Sequence, residues 1–252
     1  MAGKIFIGTS GWNYPHWGND RFYPRSLPQK EWLAFYARHF GTVEINNTFY
    51  RLPAPETFIR WSKMVPAKFV FAVKASRFIT HIKRLKEPEQ SVKLFLSRLS
   101  RLRNKQGPIL FQLPPRMKVD VGRFKGLIRY LKRRRNLKVA FEFRHESWLT
   151  EEVYDLMQGT GWTICLADGQ DFSQKIPLIS SFFYIRRHGT TARYASCYSD
   201  EQLAEDAKFA TKLARQGKHV YIYFNNDAEG YAVKNAQTLI GMVQPKYLFM
   251  RP

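Results

Sequence analysis

Eight short runs rich in β-branched and aromatic residues punctuate the chain, at 4–8, 42–46, 68–74, 109–113, 138–143, 162–167, 182–186 and 219–224. Most end at polar residues or glycine, as strands followed by turns do. Most are apolar throughout rather than alternating, the pattern of parallel strands covered on both faces. Helical periodicity fills the gaps. Trp32, Phe35, Tyr36 and Phe40 share a face after the first run, and Phe58, Trp61 and Val65 after the second. Val92, Phe95, Leu99 and Leu102 follow the third, and Val121, Phe124, Ile128 and Leu131 the fourth. Thr150 caps a helix over 151–158, and Ser199 with Gln202 forms a capping-box pattern before 203–215. A last helix is expected over 231–243, whereas 169–181 carries no convincing helical pattern.

Eight strands alternating with seven helices predict an α/β fold: a single-domain TIM-like (β/α)₈ barrel spanning 1–252, with the helix between strands six and seven reduced or missing. An open doubly wound sheet is the alternative, but 8–11 (GTSG) lacks the glycine spacing of a dinucleotide fingerprint.

In such a barrel the active site lies at the C-terminal ends of the strands, and polar residues gather there. Strand one ends near Ser10, Trp12 and Tyr14; strand two in Glu44, Asn46 and Asn47, then Tyr50; strand three at Lys74, with Thr80 and His81 beyond. Gln112 ends strand four, Glu142, Arg144 and His145 with Trp148 follow strand five, and Asp168 ends strand six. Arg186 and His188 end strand seven, and Asn225 and Asn226 end strand eight. A charge inside an apolar strand is costly unless paired, so Glu44, Lys74, Glu142 and Arg186 either form ion pairs closing the top of the barrel or converge on a ligand. Their recurrence at one end of the strands favours a ligand.

These residues also carry a resemblance. The stretches 8–12 (GTSGW), 44–51 (EINNTFYR), Thr80-His81, 111–115 (FQLPP), 141–145 (FEFRH) with Ser147-Trp148, 186–189 (RRHG), 223–227 (YFNND) and Asn235-Ala236 resemble the domain of unknown function 72 family, the YecE-like proteins. The resemblance covers essentially the whole chain. It implies a TIM-like fold and a site at these motifs, and brings no established reaction.

The chemistry expected there is acid–base or metal-assisted hydrolysis of a phosphate-containing substrate, with nucleic acid among the candidates. Glu142 and Glu44 are candidate acid and base, with Asp168, and His188 a proton carrier. Lys74, Arg144 and Arg186 would bind the anion. Ser10, Trp12, Tyr14, Asn46, Asn47, Tyr50, His81, Gln112, Trp148, Asn225 and Asn226 would line the pocket. Glu142, His145 and Asp168 are candidate ligands for a divalent metal, Mn²⁺, Zn²⁺, Fe²⁺ or Mg²⁺, although no metal-binding spacing supports them.

The net charge is +21, and 83–138 alone holds 18 Lys and Arg against 3 acids, a net of +15. Arg123, Lys125, Arg129 and Lys132, with Arg133, Arg134 and Arg135, are expected on an outer flank suited to a phosphate backbone. A non-catalytic nucleic-acid-binding protein is therefore the second functional reading. A sugar or sugar-phosphate isomerase or glycosidase is the third, resting on fold analogy and paired carboxylates. No apolar run is long enough to span a membrane and no leader is evident, so a cytoplasmic monomer is expected. Cys165 and Cys197 form no metal pattern, and Cys165 reads as a buried structural thiol.

Overall fold

The computed structural model describes residues 2–134, 136–168, 180–189 and 196–249. Each expected run contains strand: β1 (Ile5–Thr9), β2 (Thr42–Ile45), β3 (Val70–Lys74), β4 (Gln106–Gln112), β5 (Val139–Glu142), β6 (Thr163–Ile164), β7 (Leu166–Ala167), β8 (Phe182–Arg187) and β9 (His219–Phe224). The sixth run is split at Cys165 into β6 and β7. The helices are α1 (Trp32–Tyr36), α2 (Asn47–Tyr50), α3 (Pro55–Met64), α4 (Pro88–Leu99), α5 (Val121–Lys132), α6 (Glu151–Met157), α7 (Asp200–Arg215) and α8 (Tyr231–Met242). The short α2 was not expected, nor was one turn of π-helix at Phe78–Ile82. Most of 169–181 and Arg135 lie outside the described residues.

All pairings are parallel and follow chain order, β2-β3-β4-β5-β6 and β7-β8-β9-β1. That order separates a TIM-like barrel from a doubly wound sheet, where strand order reverses. The two sheets meet at two seams. A single bridge, Ser10 with Glu44, joins β1 to β2. At the other seam only Cys165 separates β6 from β7, and its N–H donates to Phe141 O at 2.8 Å.

Side chains alternate between two cores, as the period of a strand requires. Phe182, Tyr184 and Arg186 of β8 point inward, while Phe183 and Ile185 pack in the layer under the helices. Inside the barrel, Ala72, Ala140, Cys165 and Ala167 on one side leave room for Phe6, Tyr184, Tyr221 and Tyr223 on the other. Phe249 stacks on Phe6, 4.1 Å between ring centres, beside the opposite end of the interior from the charged residues. Helix ends follow their local chemistry. The Asp120, Thr150 and Ser199 side chains accept N–H groups at the starts of α5, α6 and α7, the last as a full capping box.

Candidate functional site

Arg186 is the centre of the barrel mouth and is fully buried. Its Nη2 donates to Glu44 Oε1 at 2.9 Å and its Nη1 to Glu142 Oε2 at 2.7 Å. Gln112 Oε1 lies 3.3 Å from Nη1. Glu44 also accepts from Ser10 Oγ (2.8 Å) and Tyr184 OH (2.6 Å), and Glu142 is paired with Arg144. The inward face of β8 thus delivers Tyr184 and Arg186 to one site, and His188, the residue just past the strand, continues the alternation.

Burial by itself would raise the pKa of both carboxylates. At Glu44 the charges of Arg186 and Lys74 and the hydrogen bonds from Tyr184 and Ser10 together outweigh it, so Glu44 sits below the ordinary range. Arg186 with Arg144 holds Glu142 further below that range. Neither is a protonated acid at neutral pH, which corrects the expectation that the pair divides into acid and base.

His188 is held from three sides. Its Nε2 faces Arg144 Nη2 at 2.9 Å, its Nδ1 lies 3.0 Å from the Asn225 side-chain amide, and its backbone N–H donates to Asp168. A guanidinium only donates, so Nε2 is the acceptor and the ring is neutral. Burial and Arg186 lower its pKa accordingly. The ring therefore orients Arg144.

Lys74 is different. Burial and Arg186 together outweigh the pull of Glu142 and Glu44 and bring it down to about 8. Its ammonium rests 4.2 Å from the centre of the Phe49 ring, which meets His81 edge to face. Burial, then Lys74, Arg77 and Arg84, depress His81 to about 4. Lys74, at the mouth, therefore changes charge near pH 8.

Several expected residues stand elsewhere. Trp148 is fully buried outside the barrel, stacked on Phe143 with its Nε1 donating to Met117 O at 2.7 Å, so it is core. His145 caps a short turn by accepting the Ser147 N–H. Asp168 is taken up by the His188 N–H and Tyr198 OH. Glu142, His145 and Asp168 do not converge, and among the described residues no three His, Cys, Asp or Glu side chains group as metal ligands. Asn226 is buried between Ser196 O and Asn235 and ties the last loop to α8. Trp12, Tyr14, Asn46, Asn47 and Tyr50 line a groove of about 740 Å³ beside the charged cluster.

On the flank, Lys125, Arg129, Lys132, Arg133 and Arg134 are exposed, and Arg123 is half-buried against Asp120. Tyr184 and Trp61 are residues of the mouth and its groove that sequence reasoning missed. Tyr184 carried a signal, two residues before Arg186 on the same strand face, and Trp61 carried none, whereas Phe49 lies inside the 44–51 motif.

Parallel strands in chain order, an aromatic interior and a charged cluster at the strands' C-terminal ends define a TIM-barrel-like protein. The chain belongs to the family described as "Protein of unknown function DUF72", whose model matches residues 6–251. It is 25% identical to the UPF0759 protein YunF of Bacillus subtilis, over 98% of each chain. It is 37% identical to YecE of Escherichia coli K12 over 44% of this chain and 38% of that one. A DUF72 family protein from Thermotoga maritima superposes with a TM-score of 0.81 at 27% identity, covering 95% of this chain and 98% of the other. A D-psicose 3-epimerase from Clostridium cellulolyticum, at 11% identity and a TM-score of 0.53 over 94% and 97% of the chains, shares the fold. No described helix is long and apolar enough to cross a membrane.

Proposed function

We propose that this protein is an enzyme acting on a phosphate-containing substrate at the barrel mouth, by hydrolysis. The observation that carries the reading is the surplus of buried donors. Lys74, Arg144 and Arg186 face two carboxylates, and the Nε–H groups of both arginines are buried with no acceptor among the described residues. Buried donors lacking an acceptor are costly, and a phosphoryl group supplies acceptors in the geometry a guanidinium prefers. Arg144 and Lys74 would hold the phosphoryl oxygens. Glu142, ionised, would orient the attacking water through Oε1. Lys74 would protonate the leaving oxygen as its bond to phosphorus breaks, since its pKa near 8 lets it carry a proton at neutral pH, and the proton released by the attacking water restores it through solvent. His188 holds Arg144 in place, so the proton-carrying role expected of it passes to Lys74.

Calorimetric titration of inorganic phosphate into wild type and Lys74→Met tests this. Wild type should bind, and its advantage over the variant should fade as the pH rises past about 8. A panel of phosphomonoesters should be turned over by wild type with an alkaline limb in the same range. Equal phosphate affinity in the two proteins would refute the assignment.

One observation favours a second reading, nucleic-acid binding by the flank. Helices α4 and α5 lie side by side, with Arg133 3.8 Å from Glu89, so the exposed cations of both form one surface. Changing Arg129, Lys132 and Arg133 to Glu should weaken DNA or RNA binding and flatten its salt dependence, by a slope of about 0.9 per lost phosphate contact on B-DNA. Unchanged binding would remove the flank from consideration.

A further inference from the structure

The groove beside the charged cluster has walls of two kinds. Trp12, Tyr14, Tyr50 and Trp61 supply rings, and Asn13, Gln29, Asn46 and Asn47 supply amides. Lys30 and Arg60 are exposed cations on its rim, and none of its lining residues is a carboxylate. Groove and cluster are neighbours, linked through shared hydrogen bonds. Asn46 follows Glu44 by two residues, and the Tyr14 hydroxyl donates at 2.5 Å to the carbonyl of Ser10, whose side chain donates to Glu44.

Two details point to what fills the groove. Tyr50 is 72% exposed, a large ring left facing solvent. It meets Phe49 edge to face at 5.2 Å, and Phe49 is the ring beneath the Lys74 ammonium. A stacking surface and a phosphate-binding cation are thereby joined through one side chain. Meanwhile the Asn46 Oδ1 is buried with no hydrogen-bond partner among the described residues. Such an acceptor is costly unless a ligand N–H meets it.

We propose that the groove receives the base of a nucleotide whose phosphate lies at Lys74 and Arg144. This rests on the phosphate reading and deepens it. A flat heteroaromatic ring stacks on Tyr50, as bases stack on exposed aromatic side chains. An exocyclic amino group or ring N–H of the base donates to Asn46 Oδ1, and the neighbouring amides present both donors and acceptors to a base edge. Lys30 and Arg60 on the rim suit a further phosphate, so the nucleotide is either free or part of a single strand. A sugar phosphate without a base would leave the rings and the Asn46 acceptor unused.

The test compares adenosine 5′-monophosphate, ribose 5-phosphate, inorganic phosphate and a short single-stranded oligonucleotide by calorimetry. Wild type should prefer the nucleotide over ribose 5-phosphate by about 5- to 150-fold, the range expected of one stacked base. Tyr50→Ala should erase that preference while leaving inorganic phosphate binding intact, and Tyr50→Phe should retain it. Tyr50 is exposed, so neither change threatens the fold. Oligonucleotide binding that is lost with Tyr50→Ala but kept when the flank is reversed would identify the strand as the source. Equal affinity for nucleotide and ribose 5-phosphate, or a preference indifferent to Tyr50→Ala, would overturn the proposal while the phosphate reading stood. Absence of phosphate binding in wild type would overturn both.

Discussion

Replacing Arg186 with methionine withdraws the cation from between two buried carboxylates, and the consequence differs for each. Glu142 keeps Arg144. Glu44 keeps only the hydroxyls of Ser10 and Tyr184, with Lys74 as its remaining nearby cation. The loss therefore falls on Glu44, and breaking a buried ion pair from one side costs about 3–5 kcal/mol. That is a large share of the roughly 5–15 kcal/mol that holds a folded protein together. The pH dependence has a definite sign. In wild type both carboxylates have depressed pKa values, so their stabilisation is present above the ordinary carboxylate range and is lost as the pH falls through their folded values. In the variant Glu44 is buried without Arg186, its pKa rises, and protonation relieves it. The gap to wild type should then narrow by up to about 1.4 kcal/mol per pH unit as the pH is lowered toward about 5. Equilibrium urea unfolding at about pH 7.5 and about pH 5 reads both effects. Adding Glu44→Gln to Arg186→Met should recover much of the stability lost at the higher pH. A loss under about 1 kcal/mol, a gap equal at both pH values, or no rescue by Glu44→Gln would refute the reasoning.

Lys74 has a folded pKa near 8, below that of an ordinary lysine because burial strips its hydration. Its charged form costs stability at neutral pH, and the cost vanishes as the pH rises from about 8 toward about 10.5. Lys74→Met should raise the thermal midpoint at neutral pH and lose that advantage in strong alkali, and a destabilised variant at neutral pH would contradict this. Asp227 accepts from Trp17 Nε1 at 2.7 Å, and burial, against the pull of His16, lifts its pKa to about 6. Its contribution to stability should fall as the pH rises from about 4 to about 6, and carbon NMR should show its carboxyl titrating at the upper end of that window. Gly11 has φ +102°, and an added Cβ would lie 2.7 Å from the Tyr14 hydroxyl. Gly11→Ala should cost about 1–3 kcal/mol in thermal unfolding and displace the Tyr14 ring, and an unchanged midpoint would show that the turn tolerates a side chain.

Much of the site was legible because the strands are parallel and their interior positions alternate. Glu44, Lys74, Glu142 and Arg186 had to surface at one end of any barrel built from these runs, and they do so within electrostatic reach of one another. What they do to one another was not legible. Two carboxylates in one pocket can divide into acid and base or share a cation, and sequence spacing does not distinguish these. Trp148 and His145 follow a strand end, as pocket residues do, yet the turn after β5 sends the indole into the outer core and uses the imidazole as a cap. Trp61 and Arg60 gave no sign of lining a groove, since a helix face toward α1 and the β1 loop looks the same in sequence as any other amphipathic face.

The sequence by itself determined the parallel α/β architecture and the end at which charge collects, while the order of the strands was left to the structure. Those follow from the period of apolar residues and the cost of burying an unpaired charge, which are local properties of the chain. Tertiary structure alone decided that Arg186 stands between Glu44 and Glu142, that His188 is neutral and serves Arg144, and that Lys74 titrates near 8. Each depends on desolvation and on charges brought from distant strands to within a few ångströms, and neither quantity exists until the barrel has formed.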